Sequence, residues 1–295
     1  MDRFDRNIRF FGKDGQEMLR QSHLVIIGGG GLGQHVIQQA AFAGVGEITV
    51  IDDEELSRSN LNRYILARHD DPIPGTPKVE IAKRAIASID PSIKVNTVYA
   101  SIRSAEAFSA LRDGGVLVGC LDNDGARLVL TEYALAYRKP YFDLASDISI
   151  EGGLCYGGRV LFTGTEPGCP ICLGEIDLEQ ARRDLENDAS RKDREALYGV
   201  PKGLLDEGGP SVVSINGVVA SLAVTELIAY ITGIRNPQRF INYRGDLARV
   251  MCNKDAAPPC YFCETVKGAG ASAGVERYIQ HDVATINAVS LSSRG

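Results

Sequence analysis

The sequence predicts an α/β fold built on a doubly wound sheet. Two observations carry this expectation. Strand-like apolar runs alternate with helix-like stretches between residues 24 and 145, the order that builds a parallel sheet with helices on both faces. The first run, 24–27, is β-branched and apolar and ends in glycine, as suits a strand buried on both sides. Gly28, Gly30 and Gly33 then fit G-x-G-x-x-G ahead of a helix-like stretch at 34–43. Glycines permit a sharp turn and close approach to the backbone, and the helix start offers free N–H groups and a positive dipole end to a phosphate. The expected fold is Rossmann-like, although this turn alone is shared by many nucleotide-binding proteins.

The bulk numbers narrow the function. The chain has 295 residues, enough for one large α/β domain or two small ones. Its net charge of −6 counts against a general nucleic-acid binder, which needs a basic face. A local cationic pocket for phosphates stays open. No secretory signal opens the chain. The longest apolar stretch, 212–233, contains Ser214, Asn216, Ser221, Thr225 and Glu226, and reads as a buried helix rather than a membrane span. The 7 cysteines are an odd number without a secretory context, so reduced thiols and a cytoplasmic location are expected.

In chain order, residues 3–9 carry Arg3, Arg6 and Arg9. They read either as a solvated amphipathic arm or as an anion contact. A second strand, 47–51, ends in Asp52 and Asp53, and an acid at that tip is placed to bond ribose hydroxyls. Ser57 to Arg63 reads S-R-S-N-L-N-R. Pro77 suits the first turn of a helix running to about residue 90. Lys78 in that turn opposes the helix dipole unless an anion lies nearby. Strands at 94–99 and 116–121 follow, with a helix at 105–111 between them. The second of these strands ends in Asp122, Asn123 and Asp124. One of these three is expected to cap the next helix, 126–138, leaving the others free in the crevice where open α/β sheets bind ligands. A strand at 140–145 completes the parallel half.

The pattern then changes. Residues 150–162 hold paired glycines and short apolar runs, read as an antiparallel hairpin pair. Mixed charges at 175–195 read as a solvated helix or mobile segment. Residues 196–211 read as a flexible loop, and strands are expected at 239–243 and 248–252. The small, polar tail from Val266 is expected to be loose or partner-bound. Cys169 and Cys172 form one C-x-x-C pair, and Cys260 and Cys263 another. Two such turns facing each other would give the four thiolates of a closed, structural zinc site, with redox chemistry as the competing reading. Cys120, Cys155 and Cys252 fall in predicted strands and are expected to be buried and inert.

Taken together, R-F-D-R-N, G-G-G-G-L-G, Asp52, S-N-L-N-R, G-T-P-K-V, C-L-D-N and the paired C-x-x-C turns resemble the ThiF/MoeB/HesA family, prokaryotic relatives of ubiquitin-activating enzymes. The resemblance covers about residues 3–263. It implies a single adenylation domain over 1–265, with a nucleotide-binding half at about 22–146 and a partner-binding, zinc-bearing half at about 147–265. Residues 266–295 are left as a tail. It further implies ATP-dependent adenylation of the C-terminal carboxylate of a ubiquitin-like β-grasp protein or a glycine-ended peptide. Onward conjugation or sulfur transfer by a downstream partner would follow.

By the same resemblance, Gly28, Gly30, Gly31 and Gly33 approach the nucleotide and Asp52 holds the ribose. Asn60, Arg63 and Lys78 contact the triphosphate. Asp122 binds Mg²⁺ and Asn123 supports that corner. Arg6 corresponds to an arginine that family dimers supply to the other subunit, so a homodimer is expected. The residue types suit the chemistry, since a carboxylate attacking a phosphate brings two anions together and cations offset the repulsion. Family members that form a thioester carry a cysteine in the loop before the last buried helix, and 173–211 holds none. An NAD-dependent oxidoreductase would use the glycine turn and Asp52 equally well, but has no use for Arg6, Arg63, Lys78 and Asp122. A non-catalytic subunit of a heterodimeric activator and adenylation of a non-protein carbonyl are further alternatives.

Overall fold

The computed structural model describes residues 3–150, 153–164, 168–186, 210–252 and 258–280. Helix α1 (Asp5–Gln21) leads into β1 (His23–Ile27), α2 (Gly33–Ala43), β2 (Glu47–Ile51), α3 (Lys78–Ile89) and β3 (Lys94–Val98). Then come α4 (Ala105–Asp113), β4 (Val116–Gly119), α5 (Asp124–Ala136) and β5 (Tyr141–Ser149). The C-terminal half adds β6 (Cys155–Thr163), α6 (Leu178–Leu185), α7 (Val213–Thr232), β7 (Phe240–Arg244) and β8 (Arg249–Cys252).

All eight strands form one sheet in the order β3-β2-β1-β4-β5-β6-β7-β8. Pairing is parallel from β3 to β5 and antiparallel from β5 to β8, the predicted fold class. The chain winds from β1 out to β3 and then returns to β4 on the other side of β1. The connections after β1 and β4 therefore leave in opposite directions and open a crevice at the strands' carboxyl ends. Side chains of β1 alternate between two cores, as strand geometry requires. Leu24 and Ile26 pack with α2, α3 and α7, and Val25 and Ile27 with α4 and α5.

Helix α7 has the length and apolarity of a membrane span, yet it is a core helix of this fold. Val219, Ala220, Ala223 and Leu227 join the first core. Its buried Glu226 accepts hydrogen bonds from both terminal nitrogens of Arg235, at 2.5 and 2.6 Å.

Several expectations change. The residues read as a hairpin pair at 150–162 supply a single strand, β6, whose partner is a longer β5 paired from Tyr141↔Thr163 to Ser149↔Cys155. Gly157 and Gly158 mark close strand packing rather than a turn. A Cβ there would lie 1.9 Å from Tyr243 O or 2.3 Å from Ala145 O. The charged stretch at 175–195 forms the expected solvated helix where it is described, α6, but that helix is docked along one side. Ala181 of α6 is buried, and Asp184 accepts a 3.0 Å bond from Gly125 N of α5. Residues 187–209 lie outside the described residues. The tail is not loose at 266–280, because Val266 and Val275 are buried beside α5; residues 281–295 lie outside the described residues. Cys252 is exposed because β8 is the edge strand and all four of its residues face solvent, while Cys120, just past β4, and Cys155, at the start of β6, are half-buried. The N-terminal arm is also no fully solvated helix. Gln16 and Leu19 of α1 are buried, as is Phe4 ahead of it, while Arg6 stays exposed.

Candidate active site

A cavity of about 1170 Å³ lies at the carboxyl ends of β1 to β4. Gly28, Gly30, Gly31, Asp52, Asn60, Arg63, Lys78, Asp122 and Asn123 all line it. Gly28 turns the chain at φ +91°, where a Cβ would meet Cys120 O at 2.5 Å. A Cβ on Gly30 would meet nothing within 4 Å, so this turn presents bare backbone to the cavity, as a phosphate cradle must. Gly33 does not line the cavity. It lets α2 pack on the strand end, since a Cβ there would lie 1.9 Å from Gly28 O.

Asp52 stands at the tip of β2. Its carboxylate accepts bonds from Gly29 N at 2.6 Å and Glu54 N at 2.8 Å. Burial pushes its pKa above the ordinary carboxylate value, and the Lys78 ammonium and the two amides only partly offset this. Each oxygen keeps a lone pair for a ribose hydroxyl. Lys78 is buried and its Nζ contacts the Glu54 carboxylate. Asn60 Oδ1 caps the turn at Ser57 N, 3.1 Å away. Arg63 donates to Ser59 O at 2.6 Å, and its own carbonyl is pinned by the buried Gln34 at 2.8 Å. Of the three residues after β4, Asn123 is the helix cap, accepting from Ala126 N at 2.8 Å. It also donates to Asp122 Oδ1 at 3.2 Å, so Asp122 is left for the cavity.

The wall is not simply cationic. Asp52, Asp53, Glu54, Glu55, Asp122, Asp147 and Asp184 outnumber Arg63, Lys78, Arg103 and Arg127. Arg127 is further neutralised by Asp143, which is fully buried and receives two bonds from it at 2.9 and 3.0 Å. Arg127 also bonds Leu121 O at 2.5 Å, next to Asp122. Asp143 takes further bonds from Tyr141 Oη at 2.8 Å and Arg159 at 3.2 Å. Arg159 in turn pairs with Glu175 at 2.6 Å, just past the first cysteine pair.

The four paired cysteines come together. Their sulfurs all lie within 4.8 Å of one another. Separations are 3.6 Å within the first pair and 3.7 and 3.4 Å across pairs. Tetrahedral sulfur ligands about 2.3 Å from a zinc ion stand roughly 3.8 Å apart. Sulfurs spaced alike within and across pairs suit one shared ion better than two separate redox pairs. Burial raises the Cys169 and Cys260 thiols. At Cys172 burial works the same way, but hydrogen bonds from backbone and thiol groups outweigh it and bring it to about 7.

The ThiF family profile matches residues 4–266. The chain belongs to the ThiF family. It is 33% identical over 239 residues to the molybdopterin-synthase adenylyltransferase of Escherichia coli strain K12, covering 80% of this chain and 84% of that one. It is 31% identical over 221 residues to the SAMP-activating enzyme E1 of Haloferax volcanii, covering 67% and 80%. Crystal structures of E. coli MccB share the fold. The complex with MccA-N7isoASN superposes with a TM-score of 0.66 at 22% identity, over 89% of this chain and 75% of that one. The chain is an enzyme of the adenylyltransferase class.

Several lining residues of this ThiF-family cavity escaped the sequence reading. Asn216, at the start of α7, is 1% exposed, accepts from Ser146 at 2.7 Å and donates to Ser211 at 3.1 Å. Its signal was an amide in an otherwise apolar helix, which the sequence used only against a membrane span. Arg103 and Gln280 also line the cavity and had no signal in the sequence. Arg6 does not reach it; it lies exposed on α1.

Proposed function

We propose that this chain uses ATP and Mg²⁺ to adenylate the C-terminal carboxylate of a small ubiquitin-like protein or glycine-ended peptide. The observation that carries the reading is the convergence of Gly30, Asp52, Asn60, Arg63, Lys78 and Asp122, from the three connections that follow β1, β2 and β4, on one cavity at the switch between β1 and β4. The volume, about 1170 Å³, exceeds the ~300–1,000 Å³ of ordinary small-ligand sites and leaves room for a peptide end beside a nucleotide.

In this reading the glycine turn cradles phosphates and Asp52 holds the ribose. Arg63 and Lys78 offset charge as the incoming carboxylate meets the α-phosphate. Asp122 would hold Mg²⁺, which supplies the positive charge that the acid-rich wall lacks. No general base is needed, because a terminal carboxylate is already ionised near neutral pH. Cys169, Cys172, Cys260 and Cys263 would hold a structural zinc ion, whose closed shell leaves no position for chemistry. With no cysteine at 173–211, the adenylate would pass directly to a partner's thiol, amine or sulfur source. A cytoplasmic location belongs to the same reading, supported by the odd number of cysteines in the sequence.

The test is ATP–pyrophosphate exchange. Exchange is expected to require a glycine-ended partner and to fall by about 10²–10³-fold in Asp122→Ala, the scale of a lost electrostatic stabiliser. Retained exchange in that variant would remove the role given to Asp122.

A further inference from the structure

The segment after the second cysteine pair returns to the cavity. Gly268 N bonds Leu135 O at 2.9 Å, near the end of α5. Val275 is buried against α5. Arg277 then donates to both oxygens of the buried Glu132, at 2.6 and 2.7 Å, and Tyr278 Oη donates to the same carboxylate at 2.8 Å. This strap next meets the loop after β3. Arg103 Nε bonds Tyr278 O at 3.2 Å, and Gln280 N bonds Arg103 O at 2.8 Å. Both Arg103 and Gln280 line the cavity.

That side of the cavity carries its apolar wall. Ile27, Ile51, Ile102 and Ala126 line the space and belong to one core cluster. Asp52 follows Ile51 directly and reaches the glycine turn through Gly29. A nucleotide with its phosphates on that turn and its ribose at Asp52 has an aliphatic slot for its base. The base's polar edge then needs a partner that can both donate and accept.

We propose that Gln280, carried to the cavity by the strap and fastened to Arg103, contacts the base and sets a preference for adenine. This rests on the reading that the cavity holds ATP. A glutamine amide accepts from the 6-amino group and donates to a neighbouring ring nitrogen, the pairing by which Gln reads adenine elsewhere. Gln280 is thus a specificity residue, and Arg277 and Tyr278 position it through Glu132.

The test is calorimetric titration of the full chain with ATP and with purine riboside triphosphate, which lacks the 6-amino group. The wild type is expected to prefer ATP by up to about tenfold, the scale of the one hydrogen bond that the analogue lacks. Gln280→Ala should erase that preference by weakening ATP more than the analogue, which has only the ring-nitrogen bond to lose. Arg277→Ala, which touches no nucleotide, should erode the same preference. If the wild type binds ATP and Gln280→Ala keeps the wild type's preference, the inference falls and the ATP reading stands. If Gln280→Ala weakens both ligands equally, the strap is only structural and the inference again falls. If the wild type binds neither triphosphate, the ATP reading fails and takes the inference with it.

Discussion

Lys78 opens α3, where the helix dipole disfavours a cation. The sequence therefore called for an anion nearby, and the protein supplies one in Glu54. The two partners differ in environment, for the lysine side chain is 4% exposed and the glutamate side chain 62%. An ion pair reaching solvent on one side is worth about 0.2–1 kcal/mol, so a triphosphate can displace the glutamate at small cost. Glu54 is then a competitor for Lys78, which gives a prediction opposite to that for an ordinary binding-site acid. Glu54→Gln should tighten binding of a non-hydrolysable ATP analogue by about two- to fivefold, read by titration. Lys78→Met should weaken it. Weaker binding in Glu54→Gln would mean that the acid supports the ligand or its metal rather than opposing it.

Where α5 meets β5 and β6, the deciding contact is buried charge rather than apolar packing. Arg127 and Arg159 share the fully buried Asp143. Removing its charge leaves two guanidinium groups facing each other away from water. Asp143→Asn should cost about 3–5 kcal/mol in urea unfolding, the range for breaking a buried pair, with an unchanged denaturant slope. A loss under about 1 kcal/mol would show that water screens the cluster. None of this could be read along the chain, because Arg127, Asp143 and Arg159 are surface-type side chains whose meeting depends on three separate elements. The glycine turn was legible for the opposite reason, since its backbone geometry is local and few residues allow it. Asn123 was legible as one of three cap candidates, although only the structure shows that it is the cap. The strap at 266–280 was hidden by its composition: small and polar residues surround the two valines that anchor it. Cys252 misled because a strand-like pattern does not say whether the strand is central or at an edge.

The described strands form one sheet, with β5 paired to β4 on one side and β6 on the other, so the cavity and the cysteine cluster share a frame. One expected member of the site stays outside that frame. Arg6 is exposed on α1, and Phe10 of the same helix is 73% exposed. A second copy of the chain is the reading that gives both residues a use. If Arg6 completes the cavity of a partner, Arg6→Ala and Asp122→Ala chains fail for different reasons. A dimer of one with the other holds one intact cavity, that of the Arg6→Ala chain, to which the Asp122→Ala chain lends its arginine. Full subunit exchange makes half the dimers mixed, each with one working site of two, so the mixture should recover about a quarter of wild-type pyrophosphate exchange. A mixture no more active than its two components would show that Arg6 serves its own chain or none, and the site would then have to work with Arg63 and Lys78 as its cations.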